Sequence, residues 1–286
     1  MTETAHTSRY EVVHRTRYAY AEPVSLSFHQ AMMAPRSLPH QRVESTELSV
    51  EPSLRSANRV TDYFGNDVTR FEINSPHRSM TVDARSLVHL SAPAPPELER
   101  SPTVEQALPQ LTIEAEEYLC GSRHAPRLRE AAAFARPSFP AGRPLLAGAG
   151  DLMRRIHGEF RYDPKVTTIS TPVLEALANK HGVCQDFAHV MIASLRSLGV
   201  AARYVSGYLT PLPGVVGASA SHAWVSVFCP LSGWVDFDPT NDVIVSDGHI
   251  TVAWGRDYAD VSPLRGVVYG GGRHTLDVEV EIAPLA

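Results

Sequence analysis

A cysteine at the predicted start of a helix is the first residue of this chain whose type and position could do chemistry. Cys184 follows Gly182-Val183, and apolar residues then recur with a 3.6-residue period, which predicts a helix ending near Gly199. A first-turn cysteine faces unpaired backbone N–H groups and the positive end of the helix dipole. Both stabilise the thiolate, the nucleophilic form of the side chain. The alternative is a small buried hydrophobe, and position alone leaves the two interpretations about even.

A hairpin downstream carries a histidine and an aspartate at one of its ends. The alternating segments 222–228 and 234–238 are rich in β-branched and aromatic residues, which predicts two strands joined by a turn. His222 opens the first strand, and Asp238 closes the second. A four-residue turn would set Asp238 opposite Val225, three residues short of His222. Contact with the imidazole would then need a bulge, a longer turn or a third strand.

These three residue types make a complete set for nucleophilic catalysis. A thiolate attacks a carbonyl carbon, a histidine takes and returns the proton, and a carboxylate holds the imidazole in the correct tautomer. Taken alone, His222 is better explained as a strand-end histidine, and Asp238 as a turn-capping carboxylate. The order Cys184…His222…Asp238 favours acyl transfer through a thioester.

Three other polar side chains compete for roles near this triad. Asp236 shares strand parity with Asp238 and is the alternative orienting carboxylate. Gln185 directly follows the nucleophile, so its side chain is expected near the site. His189 is rotated by about 140° from Cys184 on the same helix, which predicts a structural polar contact rather than a catalytic base.

Several segments of the chain together resemble the bacterial transglutaminase-like superfamily, relatives of animal transglutaminases built on a papain-like core. In the catalytic region they are Gly182–His189, Ser197–Tyr208, His222–Val225 and Trp234–Asn241. The region from Tyr10, including Asp62–Asn66, resembles the β-rich N-terminal region found in many bacterial members. The resemblance assigns the nucleophile to Cys184, the base to His222 and the orienting carboxylate to Asp238.

The resemblance implies an α+β fold in which the cysteine-bearing helix packs on an antiparallel sheet, behind an all-β N-terminal domain. The superfamily includes cross-linking enzymes, proteases and amidases, so it defines the chemistry better than the substrate. Hydrolysis of amide bonds in a peptide or protein is favoured, because it requires only access of water. The alternatives are a protein-glutamine transglutaminase with an amine acceptor and a non-catalytic binding or scaffold protein on the same fold.

The residue motifs do not identify the second hydrogen-bond donor of the oxyanion hole, the one besides the backbone N–H of Cys184. In animal transglutaminases an upstream tryptophan supplies it, but no tryptophan precedes Cys184 here. The phenol of Tyr162 is the candidate donor, and packing of the same ring in the core is an equal alternative. The segment 167–171 is expected to line the cleft.

Alternating segments and a proline-rich connector predict two domains. Residues 1–92 form a sandwich-like or barrel-like β-domain, 93–104 a linker, and 105–286 the catalytic domain. Within the last, helices are predicted near 114–119, 128–135, 145–157 and 172–178. The stretch 243–262 is expected to be irregular, and 275–282 a closing strand.

Composition excludes several other classes. The chain has 286 residues, 43% of them hydrophobic, with a net charge of −5 and dispersed basic residues, so no nucleic-acid partner is expected. Three widely spaced cysteines do not form a disulfide framework, and no Cys-x-x-Cys or His-Glu-x-x-His run predicts a metal or cofactor. With no signal-peptide pattern or long apolar stretch, the expectation is a cytoplasmic protein without a membrane partner. Singly scattered histidines are expected at the surface or half-buried: His14, His29, His40, His77 and His89.

Overall fold

Two large antiparallel sheets and a layer of helices make up the computed structural model, which describes residues 7–163, 171–211, 216–217 and 220–285. The strands are β1 (Thr7–Ala31), β2 (Gln41–Glu51), β3 (Ser56–Thr61), β4 (Asp67–Ile73), β5 (His77–Ser91), β6 (Arg161–Tyr162), β7 (His181–Gly182), β8 (Ala202–Leu209), β9 (His222–Cys229), β10 (Gly233–Asp238), β11 (Val243–Ile244), β12 (His249–Gly255), β13 (Leu264–Gly270) and β14 (His274–Leu285). The α-helices are α1 (Val104–Ala107), α2 (Ile113–Glu116), α3 (Arg129–Ala135), α4 (Leu145–Glu159), α5 (Val173–Asn179), α6 (Cys184–Ser197) and α7 (Tyr258–Val261). None of the helices in these ranges is long and apolar enough to cross a membrane.

The N-terminal strands form a seven-stranded sheet organised around β1. Its main order is β2-β5-β1-β4-β3, and β13 and β14 also pair with β1. β1 changes partners along its length: its first half pairs with β5 and β14, and its second half with β4 and β13. An irregularity between Ala19 and Val24 separates the halves. The predicted β-rich N-terminal region is confirmed.

The last two strands differ from the predicted domain boundary. Residues 105–286 were expected to form the catalytic domain, yet β13 and β14 hydrogen-bond to β1 in the N-terminal sheet. The alternation of 275–282 does indicate a strand, but nearly all of its side chains are exposed and only Val280 is buried. Alternation identifies a strand without identifying its partner, so the sequence could not place this hairpin.

The second sheet carries the hairpin on which the candidate triad lies. Its order is β11-β10-β9-β8-β12, with antiparallel pairing throughout. Helix α6 packs across β8 and β9, and its apolar stripe is fully buried at Phe187, Val190, Met191 and Leu195. The expected arrangement, a cysteine-bearing helix on an antiparallel sheet, is therefore present.

The helices predicted before the hairpin are confirmed with small shifts at their ends, but the prediction for 243–262 is wrong. That stretch contains β11, β12 and α7. β12 is buried on both faces except at Trp254, so its sequence lacks the polar alternation that marks a half-exposed strand.

Three of the scattered histidines are buried, contrary to expectation: His14, His29 and His77. His14 joins the two sheets, because its Nδ1 lies 2.8 Å from the hydroxyl of Tyr208 on β8. Burial lowers the pKa of His14 to about 4, so it is neutral at physiological pH. Isolated histidines in a sequence carry no information on burial when the strand parity is unknown.

Gly207 allows β8 to approach both β12 and the indole of Trp224. A Cβ at this position would overlap the carbonyl oxygen of Ile250 and the Trp224 ring. We expect Gly207→Ala to lower the free energy of unfolding by about 1–3 kcal/mol, since backbone and a buried ring would have to move. Thermal and urea unfolding measure this loss.

Gly158→Ala is the matched control, because no atom lies within 4 Å of a Cβ built at that position in α4. Alanine is the better helix former, so this variant should be as stable as the parent or gain up to about 1 kcal/mol. Equal stability of the two alanine variants would contradict the packing described at Gly207.

Candidate active site

The start of α6 is built around a carboxylate that folds back on the chain. Cys184 is the first residue of the helix and is half-buried. Asp186 accepts a hydrogen bond from the backbone N–H of Val183 at 2.8 Å, which closes the first turn. A Cβ on Gly182 would lie 2.6 Å from Oδ2 of Asp186, so glycine is needed where this carboxylate returns. The local sequence thereby places the cysteine sulfur at the positive end of the helix.

The hairpin has a shorter loop than the sequence suggested, and this corrects the predicted register. Cys229 pairs with Gly233 rather than with the residue after it, so the loop is one residue shorter. Gly233 closes the loop at φ +69°, a conformation that glycine adopts without strain. Asp238 therefore lies opposite Trp224 and shares a face with His222, its diagonal neighbour. The expected bulge, longer turn or third strand is not required.

A buried hydrogen bond joins the histidine and the aspartate. Nε2 of His222 lies 2.8 Å from Oδ2 of Asp238, and neither side chain is exposed. The other carboxylate oxygen accepts backbone N–H groups from Thr240 at 2.9 Å and Asn241 at 3.3 Å. Burial alone would raise the pKa of Asp238, but the charge and hydrogen bond of His222, followed by those of His249, hold this pKa well below its usual value.

The same contacts keep the imidazole protonated. Burial alone would lower the pKa of His222, but Asp238 and then Cys184 outweigh it and raise this pKa to about 10. Nδ1 of His222 is buried, and the interaction with Cys184 is the one that remains for it among the described residues. It is therefore the nitrogen available to the thiol of Cys184. An imidazolium in this position stabilises negative charge on the sulfur.

Two aromatic side chains that the sequence interpretation missed surround the pair. Trp224 stacks on His222 with ring centroids 6.2 Å apart and an interplanar angle of 29°. His249 on β12 places its Nε2 3.2 Å from Oδ2 of Asp238, so two histidines share one carboxylate. The sequence gives no strand pattern around His249, because β12 is buried on both faces except at Trp254 and lacks polar alternation.

Asn241 links the carboxylate to the segment that lies over the imidazole. Its Nδ2 donates to Oδ2 of Asp238 at 2.8 Å, and its Oδ1 accepts from the N–H of Val216, also at 2.8 Å. Gly217 follows at φ +96°, and a Cβ on it would lie 2.9 Å from Nδ1 of His222. The backbone at Gly217 thus lies close to Nδ1 of His222, the ring nitrogen available to Cys184. Asn241 ends the run that closes the hairpin, which was the available sequence signal.

The remaining candidates have distinct surroundings. Tyr162 lies on β6, paired with Gly182 on β7, and burial and then the charge of Cys184 raise its pKa, so its phenol stays a donor near the sulfur. Gln185 is half-buried beside Cys184 in the first turn. Asp236 accepts a hydrogen bond from Nε1 of Trp224 at 2.9 Å, and among the described residues the carboxylate hydrogen-bonded to His222 is that of Asp238. The alternative orienting carboxylate is therefore not in place.

His189 makes the structural contact that its position on the helix predicted. It is buried, and its Nε2 accepts a hydrogen bond from the backbone N–H of Tyr258 at 3.2 Å. Of the predicted cleft-lining segment 167–171, residues 167–170 lie outside the described part of the chain. Within that part, no group of His, Cys, Asp and Glu side chains is arranged to hold a metal ion.

Comparison with known proteins assigns the chain to a family. Residues 10–89 match the bacterial transglutaminase-like N-terminal region, and residues 134–239 match the transglutaminase-like superfamily. An uncharacterized protein of Mycobacterium tuberculosis is 39% identical over 97% of this chain and 93% of that protein. The chain belongs to the transglutaminase-like superfamily.

Two further proteins show how far the similarity extends. A solved structure of a candidate cysteine protease from Cytophaga hutchinsonii has the same fold, with a TM-score of 0.79 and 20% identity over 99% of this chain and 92% of that chain. A protein-glutamine gamma-glutamyltransferase of Pseudomonas aeruginosa is 27% identical, over 46% of this chain and 24% of that protein. The first comparison concerns the fold, and the second concerns part of the chain.

The three free cysteines allow the reactivity of Cys184 to be measured against an internal reference. Cys120 is exposed, Cys184 half-buried and Cys229 buried. We expect iodoacetamide near neutral pH to alkylate Cys184 faster than the more accessible Cys120, because the His222 imidazolium stabilises the thiolate. Peptide mass spectrometry of a time course gives the three rates.

Asp238→Asn should slow the alkylation of Cys184 by at least about tenfold, since the charge that keeps His222 protonated is removed. Asp277→Asn removes an exposed carboxylate on β14 and should leave the rate unchanged. Equal labelling of Cys184 and Cys120 in the folded parent protein would rule out an activated thiol.

Proposed function

We propose that this protein is a cysteine-dependent acyl-transfer enzyme that hydrolyses amide bonds in a peptide or protein substrate. The observation that supports this most strongly is the buried His222–Asp238 pair, in which Asp238 occupies Nε2 and Nδ1 is left for an interaction with Cys184. A structural histidine does not need an orienting carboxylate on one nitrogen and a thiol near the other. The role of each residue follows from the atom that it presents.

In the acylation half, the sulfur of Cys184 attacks the amide carbonyl carbon and forms a tetrahedral intermediate. The intermediate collapses to a thioester as the C–N bond breaks, and the proton on Nδ1 of His222 passes to the leaving nitrogen. Asp238 remains ionised, because its oxygens accept hydrogen bonds from His222, Thr240 and Asn241. Its negative charge holds the ring in place and stabilises the imidazolium before transfer.

The negative oxygen of the intermediate requires preorganised donors. We assign one to the backbone N–H of Cys184, at the N-terminus of α6, and the other to the phenol of Tyr162. The phenol is supported by its position beside Gly182 and by the electrostatic coupling between Tyr162 and Cys184. Gln185 remains an alternative donor in the same turn.

In the second half, neutral His222 takes a proton from the incoming nucleophile, which attacks the thioester carbon and releases Cys184. Water yields a carboxylic acid, whereas a primary amine yields a new amide and no net hydrolysis. Hydrolysis is the main proposal, because it needs no acceptor site.

Transfer to an amine is the second candidate, favoured by the partial similarity to the Pseudomonas aeruginosa gamma-glutamyltransferase. The third alternative, a non-catalytic scaffold, accounts less well for a carboxylate, an imidazole and a thiol brought into one site.

A single assay separates these outcomes. The protein is incubated with a glutamine-containing protein, with and without a fluorescent primary amine, and peptides, ammonia and incorporated amine are quantified. We expect Cys184-dependent cleavage or ammonia release in both conditions, with little incorporated amine.

Tyr162→Phe should lower kcat by at least about tenfold and leave KM nearly unchanged, since the hydroxyl of Tyr162 acts on the transition state.

Cys184→Ala and Cys120→Ala form the matched control pair: the first should abolish product formation, and the second should leave it intact. Amine incorporation as the main product would favour transfer over hydrolysis. No Cys184-dependent product on a broad panel of peptides and proteins would contradict catalysis and favour the scaffold.

A further inference from the structure

A cavity of about 650 Å³ lies away from the candidate triad, on the face of the second sheet opposite α6. Its walls come from the proline-rich connector 93–97, from the segment 38–40 and from β8, β10, β11 and β12. Neither Cys184 nor His222 lines it. Ligand sites have this size range and are mostly apolar, with a few convergent polar groups.

Arg203 on β8 is one of the charged residues that line this cavity. It is only 8% exposed, and its guanidinium is sandwiched between Trp234 at 4.1 Å and Trp254 at 3.8 Å from the ring centroids. Its Nε is buried without a hydrogen-bond partner in the described part of the chain. Burial lowers the pKa of Arg203 to about 10, so the group still carries its charge at neutral pH.

A buried guanidinium that lacks an acceptor is costly, because the indole faces compensate its charge but accept none of its N–H groups. Stacking covers the two faces of the guanidinium, and with Nε buried it is the edge carrying the two Nη atoms that presents paired donors suited to a carboxylate. The cavity is therefore built to receive an anionic group at Arg203.

Asp236 supplies an acceptor near the same point. It attracts Arg203 electrostatically, yet the two form no ion pair within 4.0 Å. Its Oδ2 accepts from Trp224, which leaves Oδ1 as an acceptor for a ligand. The other charged residues on the wall, Glu97 and Arg100, are paired with each other at 2.8 Å.

Most of the remaining wall is apolar, although it also includes His40, Ser101, Ser232 and Thr251. The proline rings have no N–H, so they offer apolar surface in a stiff segment. They are joined by aliphatic side chains from the two sides of the cavity: Leu38, Leu231, Ile244 and Val245. A ligand that fits would combine a carboxylate, one N–H donor next to it and an aliphatic side chain.

We propose that this cavity binds the C-terminal residue of a peptide, with its carboxylate on Arg203, its amide N–H on Asp236 and its aliphatic side chain against the proline wall. The site is separate from Cys184 and does not depend on the proposed acyl transfer.

The tryptophans of the chain provide the probe for this site. The sequence has three: Trp234 and Trp254 line the cavity, and Trp224 is hydrogen-bonded to Asp236. Full-length Cys184→Ala protein, which cannot turn over a substrate, is titrated with N-acetyl-leucine, and tryptophan fluorescence is recorded. We expect a saturable change, with N-acetyl-leucinamide binding at least about tenfold more weakly because it lacks the carboxylate.

Two comparisons test the individual contacts. Arg203→Met should abolish the response to N-acetyl-leucine, and 4-methylpentanoate, which lacks the N–H, should bind several-fold more weakly than N-acetyl-leucine. Equal binding of the acid and its amide, equal binding of the two acids, or no saturable change at millimolar ligand would each overturn the proposal. The comparison of N-acetyl-leucine with N-acetyl-leucinamide uses the Cys184→Ala protein alone. It therefore tests the carboxylate contact even if Arg203→Met fails to fold. Since Cys184 is already absent, failure here leaves the proposed catalysis untouched.

Discussion

The buried hydrogen bond between His222 and Asp238 is the constraint on which the rest of the site depends. A carboxylate and an imidazole without solvent are tolerable only if their remaining polar atoms find partners. The turn after Asp238 provides two backbone N–H groups, and Asn241 and His249 provide two more donors. These donors come from the turn that follows β10 and from β12, so the His222–Asp238 pair depends on both of these elements.

Both faces of the second sheet contribute to the position of the His222–Asp238 pair relative to Cys184. On one face, α6 buries its apolar stripe and brings Cys184 near His222, at the start of β9. On the other face, Trp224 covers His222 and passes a hydrogen bond to Asp236, beside the cavity that holds Arg203. The connection between β1 and β2 and the start of β2 complete this face: Arg36 stacks on Trp254 at 3.5 Å, and Gln41 hydrogen-bonds to the backbone of Thr251. The N-terminal β-rich region thus helps to support the second sheet.

The sequence was informative where local chemistry sets the structure. The start of α6 could be predicted because a glycine, an N-terminal carboxylate and a 3.6-residue period act within a few residues. The hairpin, with His222 and Asp238 at the same end of it, followed from strand alternation. The chemistry assigned to Cys184, His222 and Asp238 from their residue types stays a prediction. The register was wrong by one residue, because Gly233 closes the loop while it is already paired with Cys229.

What could not be predicted depends on partners distant in sequence. β12 was not predicted because burial on both faces removes its polar alternation. For the same reason the place of His249 beside Asp238 was not predicted. The pairing of β13 and β14 with β1, and the burial of His14 against Tyr208, join residues more than a hundred positions apart. Asp236 has the right parity for an orienting carboxylate, but the indole of Trp224 takes it instead. Parity defines a face of a strand and does not define which donor on that face a carboxylate meets.

The most direct test of this account is the titration of His222 by NMR in protein labelled with ¹⁵N at the histidine side chains, assigned with a His222→Gln variant. The account predicts an imidazolium throughout the neutral range, because Asp238 and Cys184 outweigh burial and raise the pKa of His222 to about 10. The ring should then lose its proton only near that value, and Asp238→Asn should move the transition to lower pH. A parent protein in which His222 titrates near the ordinary value of about 6.5 would contradict the account, because the carboxylate would not then be holding the charge beside Cys184.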